Sequence, residues 1–437
     1  MAQAVATADR WLNPQGNQAP QRQVATHEFD LGWVVWAVPP PPEVDPVTGQ
    51  RRPPAEFGSA CGVVDRRTGE LTAWPSVPVE EVVRMYQHKH GGGGAGAATE
   101  PPVTGPGNTT VITYVDPSNG EETNLFRNSA PGLPHSEYQA MAEIQRIGVP
   151  PRNVVAVHTD LSSSVLPGGY PGEMLRGAFP NAQFSCAQNY GMSPEERAEG
   201  IAGLLQHVEM MHQIAGQQPP PRPRRLAVPS NVAPAEPMRD IALGRHLAEE
   251  FGPDGVRRYD ADDVAHTQLP EAAKATLTWA GLPADIPFFF SADRADAPPP
   301  GGLFTDATTF MREVGTQANQ RTLQVLSEHV RIGSDGVAAM TVQCTPQPHM
   351  STPVGQVWAV PPLYAMGVPV NVSVSAFVRS LALLSTTRRR MPGMDPVAAG
   401  AAVAAFQEQL TAIDATALSD PKSWWSLIVE QMWHGLF

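Results

Sequence analysis

Two stretches rich in proline and glycine interrupt the chain and limit what it can fold into. The first, HGGGGAGAATEPPVTGPG, runs over residues 90–107, and the second, QQPPPRPRRLAVP, begins at Gln217. Glycine costs backbone entropy in a regular element and proline removes an amide donor, so neither stretch suits a continuous helix or sheet. We therefore predict a flexible arm, three folded pieces and two linkers, in this order: residues 1–23 (arm), 24–89, 90–107 (linker), 108–216, 217–236 (linker) and 237–437.

The piece over residues 24–89 has the pattern of a small α+β domain. The apolar run at residues 32–38 predicts a strand, which ends at the prolines 39–42 because proline cannot donate to a sheet ladder. The segment VVDRRTGELTAWPS predicts a hairpin, and a helix follows it. These motifs resemble the YrhB-like family, which is associated with bacterial toxin immunity.

The piece over residues 108–216 alternates strand and helix patterns. Thr109–Val115 is rich in β-branched residues and predicts a strand, while apolar residues at helical spacing follow His135. The motif SPEE at Ser193 predicts a helix start with a capping box. The full order, β-β-α-β-α-β-α, is the layout of the deaminase fold, so we expect a central three-layer αβα domain.

An H-x-E motif, His135-Ser136-Glu137, opens the first helix of this piece. In zinc deaminases such a histidine binds zinc, the glutamate shuttles protons, and a later P-C…C segment supplies two thiolates. The segments HSEYQAM, VHTDLSSSVLPGGYPGEML and FPNAQFSCAQNYG resemble the nucleic-acid and nucleotide deaminases of bacterial polymorphic toxin systems. The resemblance places Ser164 and Pro171 at the positions of the two cysteine ligands.

These two substitutions remove the expected chemistry. A neutral serine is a poor zinc ligand and proline has no side-chain donor, whereas a catalytic zinc needs three protein ligands. We therefore expect no zinc or other cofactor and no catalytic residue, with His135 and Glu137 as vestiges of an active site. The residues leave one alternative open, an unconventional metal site formed by His135, His158 and Cys186.

The piece over residues 237–437 combines amphipathic helices, such as Pro396–Ile413, with short apolar strands. It resembles the SUKH-type immunity domain, and the resemblance implies an α+β fold with a protein-binding role. The segments that carry it span nearly the whole piece in the expected order: LTWAGLPADIPFFF, IGSDG, VGQVWAV, VNVSVSAFVRSLALL and LTAIDATALSDPKSWWSLIVEQM.

Charge and composition exclude several classes of partner. The formal net charge of −13 disfavours a nucleic-acid-binding surface, and the three cysteines are too few and too far apart for a disulfide framework. No signal peptide or membrane span is expected, so we predict a cytoplasmic protein. The tryptophans Trp424, Trp425 and Trp433 are candidates either for an interface or for packing in the core, and the sequence leaves both open.

The sequence thus predicts a multidomain protein of mixed α+β and α/β class that acts without catalysis. Its expected role is immunity-type binding of a protein partner, a toxin or a secretion-linked component, on a deaminase-like scaffold that can also self-associate. Two alternatives stay open: an active deaminase with an unconventional metal site, and a self-assembling structural or cargo-like protein.

Overall fold

The computed structural model describes residues 2–13, 22–38, 61–66, 68–75, 78–90, 100–346 and 353–437. The chain divides into two compact units, Met1–Thr99 and Glu100–Phe437. The prolines 39–42 and residues 91–99 of the glycine-rich stretch lie outside the described residues.

The unit Met1–Thr99 is built on a four-stranded antiparallel sheet. Its described elements are α1 (Ala2–Leu12), β1 (Val24–Phe29), β2 (Gly32–Ala37), β3 (Cys61–Asp65), β4 (Leu71–Trp74) and α2 (Val79–His90). The strands neighbour each other in chain order. The buried Val34 and Val63 pack with Val82 and Tyr86 of α2, and the Tyr86 hydroxyl donates to Asp65 Oδ2 at 2.8 Å.

Residues 2–12 do not form the flexible arm that the sequence suggested. They form α1, in which Ala8 is fully buried and packs with Val35 and Val64. The polar composition of the first residues was misleading because an amphipathic helix of this length needs only a few apolar side chains to dock on a sheet.

The unit Glu100–Phe437 begins with the predicted β-β-α-β-α-β-α order. Its elements here are β5 (Thr109–Val115), β6 (Glu122–Asn128), α3 (Ser136–Arg146), β7 (Val154–Leu161), α4 (Pro171–Ala178), β8 (Gln183–Gln188) and α5 (Pro194–Ile214). The sheet order is β6-β5-β7-β8, with β7 and β8 parallel and the other pairs antiparallel. Alternate residues of β5 pack against α3 and α4, around Ile112, Ile144 and Leu175. Ser193 and Glu196 form the capping box of α5.

The remainder of this unit carries a six-stranded antiparallel sheet in the order β11-β12-β13-β14-β15-β16, and a short pair of β9 with β10. The strands are β9 (Val256–Arg257), β10 (Leu282–Pro283), β11 (Asp285–Ile286), β12 (Phe290–Ala292), β13 (His329–Ser334), β14 (Ala339–Gln343), β15 (Val357–Val360) and β16 (Val368–Asn371). The helices are α6 (Asp240–Phe251), α7 (Ala261–Ala265), α8 (Glu271–Ala275), α9 (Ala307–Glu313), α10 (Gln320–Leu326), α11 (Val374–Arg390), α12 (Pro396–Ile413) and α13 (Trp424–Trp433).

One hydrophobic core runs through both parts of this unit. Leu161 and Tyr190 from the deaminase-like part belong to the same cluster of buried side chains as Phe377 and Trp433. The proline-rich stretch after α5 packs along the unit as well, since Gln407 Nε2 donates to Ala227 O at 2.9 Å. The mixed, multi-sheet fold class predicted from the sequence is confirmed.

Among the described residues, none of the helices combines the length and the apolar character that crossing a bilayer requires.

Candidate functional site

The H-x-E motif lies at the buried start of α3. His135 precedes the first helical residue, and His135, Ser136 and Glu137 are all at most 2% exposed. The Ser136 and Thr110 hydroxyls are 2.8 Å apart and hydrogen-bonded, which fixes the start of α3 against β5. The sheet therefore holds the motif at the start of α3, the helix that follows the first two strands of this unit.

His135 is a neutral imidazole committed to the protein backbone. Its Nε2 lies 3.0 Å from Gly168 O, and because a carbonyl only accepts, Nε2 carries the proton. Burial lowers the pKa of His135 to about 3, and the nearby Arg388 cation acts in the same direction. The ring therefore stays uncharged at neutral pH.

Glu137 is held by hydrogen bonds from several directions. Asn108 Nδ2 donates to Oε1 and Ser136 Oγ donates to Oε2, both at 3.1 Å, and Ser163 adds a further hydrogen bond. Burial raises the pKa of Glu137, an effect that the hydrogen bonds oppose. Asn108 Oδ1 also accepts from Leu161 N at 2.8 Å, so the carboxyl group is tied to the end of β7.

Ser164 and Pro171 occupy the loop between β7 and α4. Ser164 is 3% exposed, and its hydroxyl accepts from Leu166 N at 3.2 Å while its carbonyl accepts from Gly172 N at 2.8 Å. Pro171 is buried at the first position of α4, where the missing amide hydrogen costs nothing. Both residues thus have ordinary structural roles in shaping this loop.

This donor set does not fit a catalytic zinc ion. Zinc in such sites takes three protein ligands, commonly thiolate, imidazole or carboxylate. Ser164 offers a hydroxyl that already caps a turn, Pro171 offers no donor, and His135 Nε2 is bonded to a carbonyl. Within residues 100–346 and 353–437 and the other described ranges, no group of three or more His, Cys, Asp or Glu side chains is placed to hold a metal ion.

The alternative metal site from His135, His158 and Cys186 does not assemble. Thr110 contacts α3 and pairs with Thr159, which pairs in turn with Cys186, so these residues share the sheet face that carries α3. His158 lies on the opposite face, where its Nδ1 is 2.9 Å from Ser185 Oγ. The histidines therefore point to different sides of the sheet.

Side chains from the last part of the chain cover His135. The ring centroids of His135 and Phe437 are 4.8 Å apart, and Phe437 is 1% exposed. Gln431 Nε2 donates to Pro167 O at 2.6 Å. A Cβ added to Gly168, whose φ is 106°, would lie 3.3 Å from the Phe437 ring. The loop and Phe437 together fill the space beside His135.

Asp335 of the IGSDG turn links the same loop to α13. Its Oδ2 accepts from the Tyr170 hydroxyl at 2.7 Å and from Trp424 Nε1 at 2.8 Å. Its Oδ1 accepts from the backbone amides of Val337 and Ala338 at 3.1 and 2.7 Å. Burial raises the pKa of Asp335, and these donors oppose that rise. Tyr170 adopts a left-handed backbone with a φ of 49°, which directs its side chain to this acceptor.

A second set of polar contacts joins α5 to α13. Arg197 is 1% exposed and forms a two-pronged ion pair with Glu430, with N–O distances of 3.0 and 2.7 Å. The Tyr190 hydroxyl lies 2.8 Å from His434 Nδ1. Burial lowers the pKa of His434 to about 4, although the Glu430 carboxylate acts in the opposite direction.

The structure places the three candidate interface tryptophans in the core, the second of the two alternatives that the sequence left open. Trp424 and Trp425 are fully buried and Trp433 is 2% exposed. Their indole nitrogens donate to Asp335, Asn371 and Gln407, respectively. Because they lie in the core, they do not present an outer surface to a partner in this conformation.

Sequence reasoning missed the contacts that Phe437, Gln431 and Asp335 make with His135 and with the loop between β7 and α4. Each acts on a segment more than 150 residues away, and none belongs to a motif with a recognised spacing. The single hint was the acid in IGSDG, which follows a strand whose residues are almost all buried.

Three family models match the chain, one after another. They are an Immunity protein 35-like domain over residues 2–93, a Xanthomonas-like deaminase over 105–207 and a SUKH-4 immunity protein over 242–431. The predicted succession of an immunity-type, a deaminase-like and a SUKH-type module is confirmed, while the YrhB-like label stays a prediction. No curated protein and no solved structure gave a significant match.

Proposed function

We propose that the chain is a non-catalytic immunity-type binding protein in which the deaminase-like domain serves as a scaffold. SUKH immunity and deaminase-like domains together fit a toxin-immunity system. Under this proposal the bound partner is a protein, either a toxin or a secretion-linked component of the same bacterial conflict system.

The observation that carries the proposal is the state of the residues around His135. By the resemblance of the sequence, Ser164 and Pro171 take the two thiolate positions. In the structure, His135 Nε2 is bonded to Gly168 O and Phe437 packs on the imidazole. A deaminase needs a metal-activated water and an open pocket for the extruded base. A buried histidine without ligand partners supports neither requirement.

The remaining polar groups support a structural role for the motif. Asn108 and Ser136 satisfy Glu137, and the start of α3 is bonded to β5. Such a fully hydrogen-bonded buried network specifies one arrangement of the elements that it joins. Under the proposal, this network gives the H-x-E motif a structural role that requires no catalysis.

A deamination assay tests the catalytic half of the proposal. Purified chain supplied with zinc is incubated with single-stranded DNA, RNA and free nucleosides, and the release of ammonia is measured. We expect none above a Glu137→Gln control. Turnover by the wild-type chain that is lost in this variant would establish an active deaminase instead.

Affinity purification tests the binding half. The tagged full chain is recovered from native cells in which the neighbouring genes are expressed, and associated proteins are quantified by mass spectrometry against a tagged unrelated protein. We expect a stoichiometric protein partner. Recovery of the chain alone, with light scattering that shows a large homomeric assembly, would favour the self-assembling structural alternative.

A further inference from the structure

An open cleft of about 350 Å³ lies where the deaminase-like part meets the SUKH-like part. One wall is formed by Tyr138 of α3 and by Gly169, Tyr170, Glu173 and Met174. The other wall is formed by the β11–β12 turn and by the IGSDG turn. The cleft is separate from the covered surface of His135, and the vestigial motif does not line it.

The charged groups of this cleft are acidic. Glu173 and Asp285 are exposed on opposite walls, and Asp335 lies deeper, where its four hydrogen bonds satisfy it. Among the described lining residues there is no lysine, arginine or histidine. Among the residues that the structure describes, neither Glu173 nor Asp285 has an ion-pair partner, and two such carboxylates facing one cleft favour a cationic ligand over an anionic or neutral one.

Aromatic rings supply the rest of the lining. The Tyr138 hydroxyl donates to Gly169 O and the Tyr170 hydroxyl donates to Asp335, so each tyrosine offers a ligand its ring rather than its hydroxyl. Phe288 stands beside Tyr138, with ring centroids 4.2 Å apart. Its φ of 77° is strained for a residue other than glycine, and the β11–β12 turn holds the ring in this place.

We propose that this cleft binds an arginine or lysine side chain that the protein partner presents. The inference rests on the proposed binding function and adds the chemistry by which the partner is recognised. A cation between carboxylates and aromatic rings gains both ion pairing and cation–π attraction. The cleft volume lies at the small end of the range of about 300–1,000 Å³ for ligand pockets, which suits one or two extended side chains. The net charge of −13 favours the approach of a basic segment.

The first test uses short peptides as probes. Acetyl-Gly-Arg-Gly-amide and acetyl-Gly-Lys-Gly-amide are titrated against the full chain, next to the glutamate and leucine analogues, and binding is followed by NMR. We expect the cationic peptides to bind at least about ten times more tightly than the other two, since both carboxylates and rings favour charge. Equal affinity across the four peptides would overturn the proposal.

Matched variants locate the binding. Glu173→Gln with Asp285→Asn removes both carboxylates, and Glu199→Gln with Glu313→Gln removes the same charge from exposed positions outside the cleft. We expect the first pair to abolish the preference for cationic peptides and the second pair to keep it. Phe288→Gly deletes the ring at a φ that suits glycine, so it should weaken binding several-fold without unfolding the chain. Binding that is unchanged in the carboxylate pair would place the peptide elsewhere and refute the site.

The experiments can reject the cleft as a binding site and the proposed binding function independently of each other. A protein partner that still binds the Glu173→Gln, Asp285→Asn variant with unchanged affinity leaves the binding function standing and rejects the cleft. Cationic peptides that bind the cleft while no protein partner is recovered would reject the function and leave the site.

Discussion

The ring of Phe437 packs against the ring of His135, with centroids 4.8 Å apart. This contact joins the last residue of the sequence to the residue that would begin a deaminase active site. Phe289 also contacts Phe437, at 5.4 Å between centroids, so the aromatic side chain is held from two sides.

Replacing Phe437 with alanine should destabilise the unit without creating activity. The side chain is 1% exposed, and deleting a buried phenylalanine ring costs about 3–5 kcal/mol of unfolding free energy. Hydrogen exchange should rise in the loop around Gly168, where an added Cβ would lie 3.3 Å from this ring. Phe184→Ala serves as the control, because Phe184 is 42% exposed and should cost much less. Deamination that appears in Phe437→Ala would mean that coverage, not the lost ligands, silences the site.

Replacing Asp335 with asparagine should loosen the junction between Tyr170 and Trp424. The carboxylate accepts four hydrogen bonds, and the amide nitrogen of asparagine would face donors instead of accepting from them. We expect a loss of about 2–4 kcal/mol in denaturant unfolding, as for other broken buried networks. The exposed Asp262→Asn should stay within about 0.5 kcal/mol of the wild type. Equal stability of the two variants would show that Asp335 does not hold the junction.

The local elements of the deaminase-like part were predictable because their signals are local. Ser193 and Glu196 form the predicted capping box, and Pro171 starts α4 at the first helical position, which proline favours. The apolar run Ile286–Phe290 has the composition of a single strand. It instead spans two short strands and the tight turn between them, because Phe288 adopts a φ of 77° that no pattern of apolar residues reveals.

The long-range contacts of the loop between β7 and α4 could not be predicted from the sequence, and the reason is physical. Tyr170 and Asp335 are 165 residues apart, and a contact at that separation is set by how two folded parts pack rather than by periodicity. The same holds for the buried tryptophans. An aromatic pair such as Trp424-Trp425 looks the same in the sequence whether it lies in a core or at an interface. Only its burial in the structure distinguishes the two.

Glu137 should make stability depend on pH in a defined direction. Burial raises its pKa above the ordinary value of 4.5, so the folded state binds the proton more tightly than the unfolded state. The contribution of Glu137 to the free energy of unfolding is therefore full below pH 4.5. It is lost as the pH rises through the pKa that Glu137 has in the folded state. Relative to Glu137→Gln, the wild type should lose up to about 1.4 kcal/mol per pH unit across that window.

Denaturant unfolding at pH 5, 6, 7 and 8 checks this prediction. Glutamine keeps the hydrogen bond from Asn108 and can donate to Ser136, so the variant removes the charge without leaving either partner unpaired. We expect the variant to be the more stable protein at pH 8. Parallel pH profiles of the two proteins would show that Glu137 is not perturbed by its burial.

Restoring thiolates at Ser164 and Pro171 should restore some zinc binding. In Ser164→Cys with Pro171→Cys, the second thiol stands at the start of α4, where the helix N-terminus favours the thiolate. His135 would complete a three-ligand set by giving up its bond to Gly168 O. Purified wild type should carry only trace zinc by mass spectrometry, and the double variant should carry clearly more.

The alanine pair at the same positions is the matched control for zinc content, since it alters the loop without adding donors. Adding Phe437→Ala to the cysteine pair should raise the zinc content further, because the histidine ring then gains room to turn toward a metal. A cysteine pair that binds no more zinc than the alanine pair would mean that Ser164 and Pro171 do not correspond to the ligand positions. The loop would then resemble the ligand segment of a deaminase only in the path of its backbone.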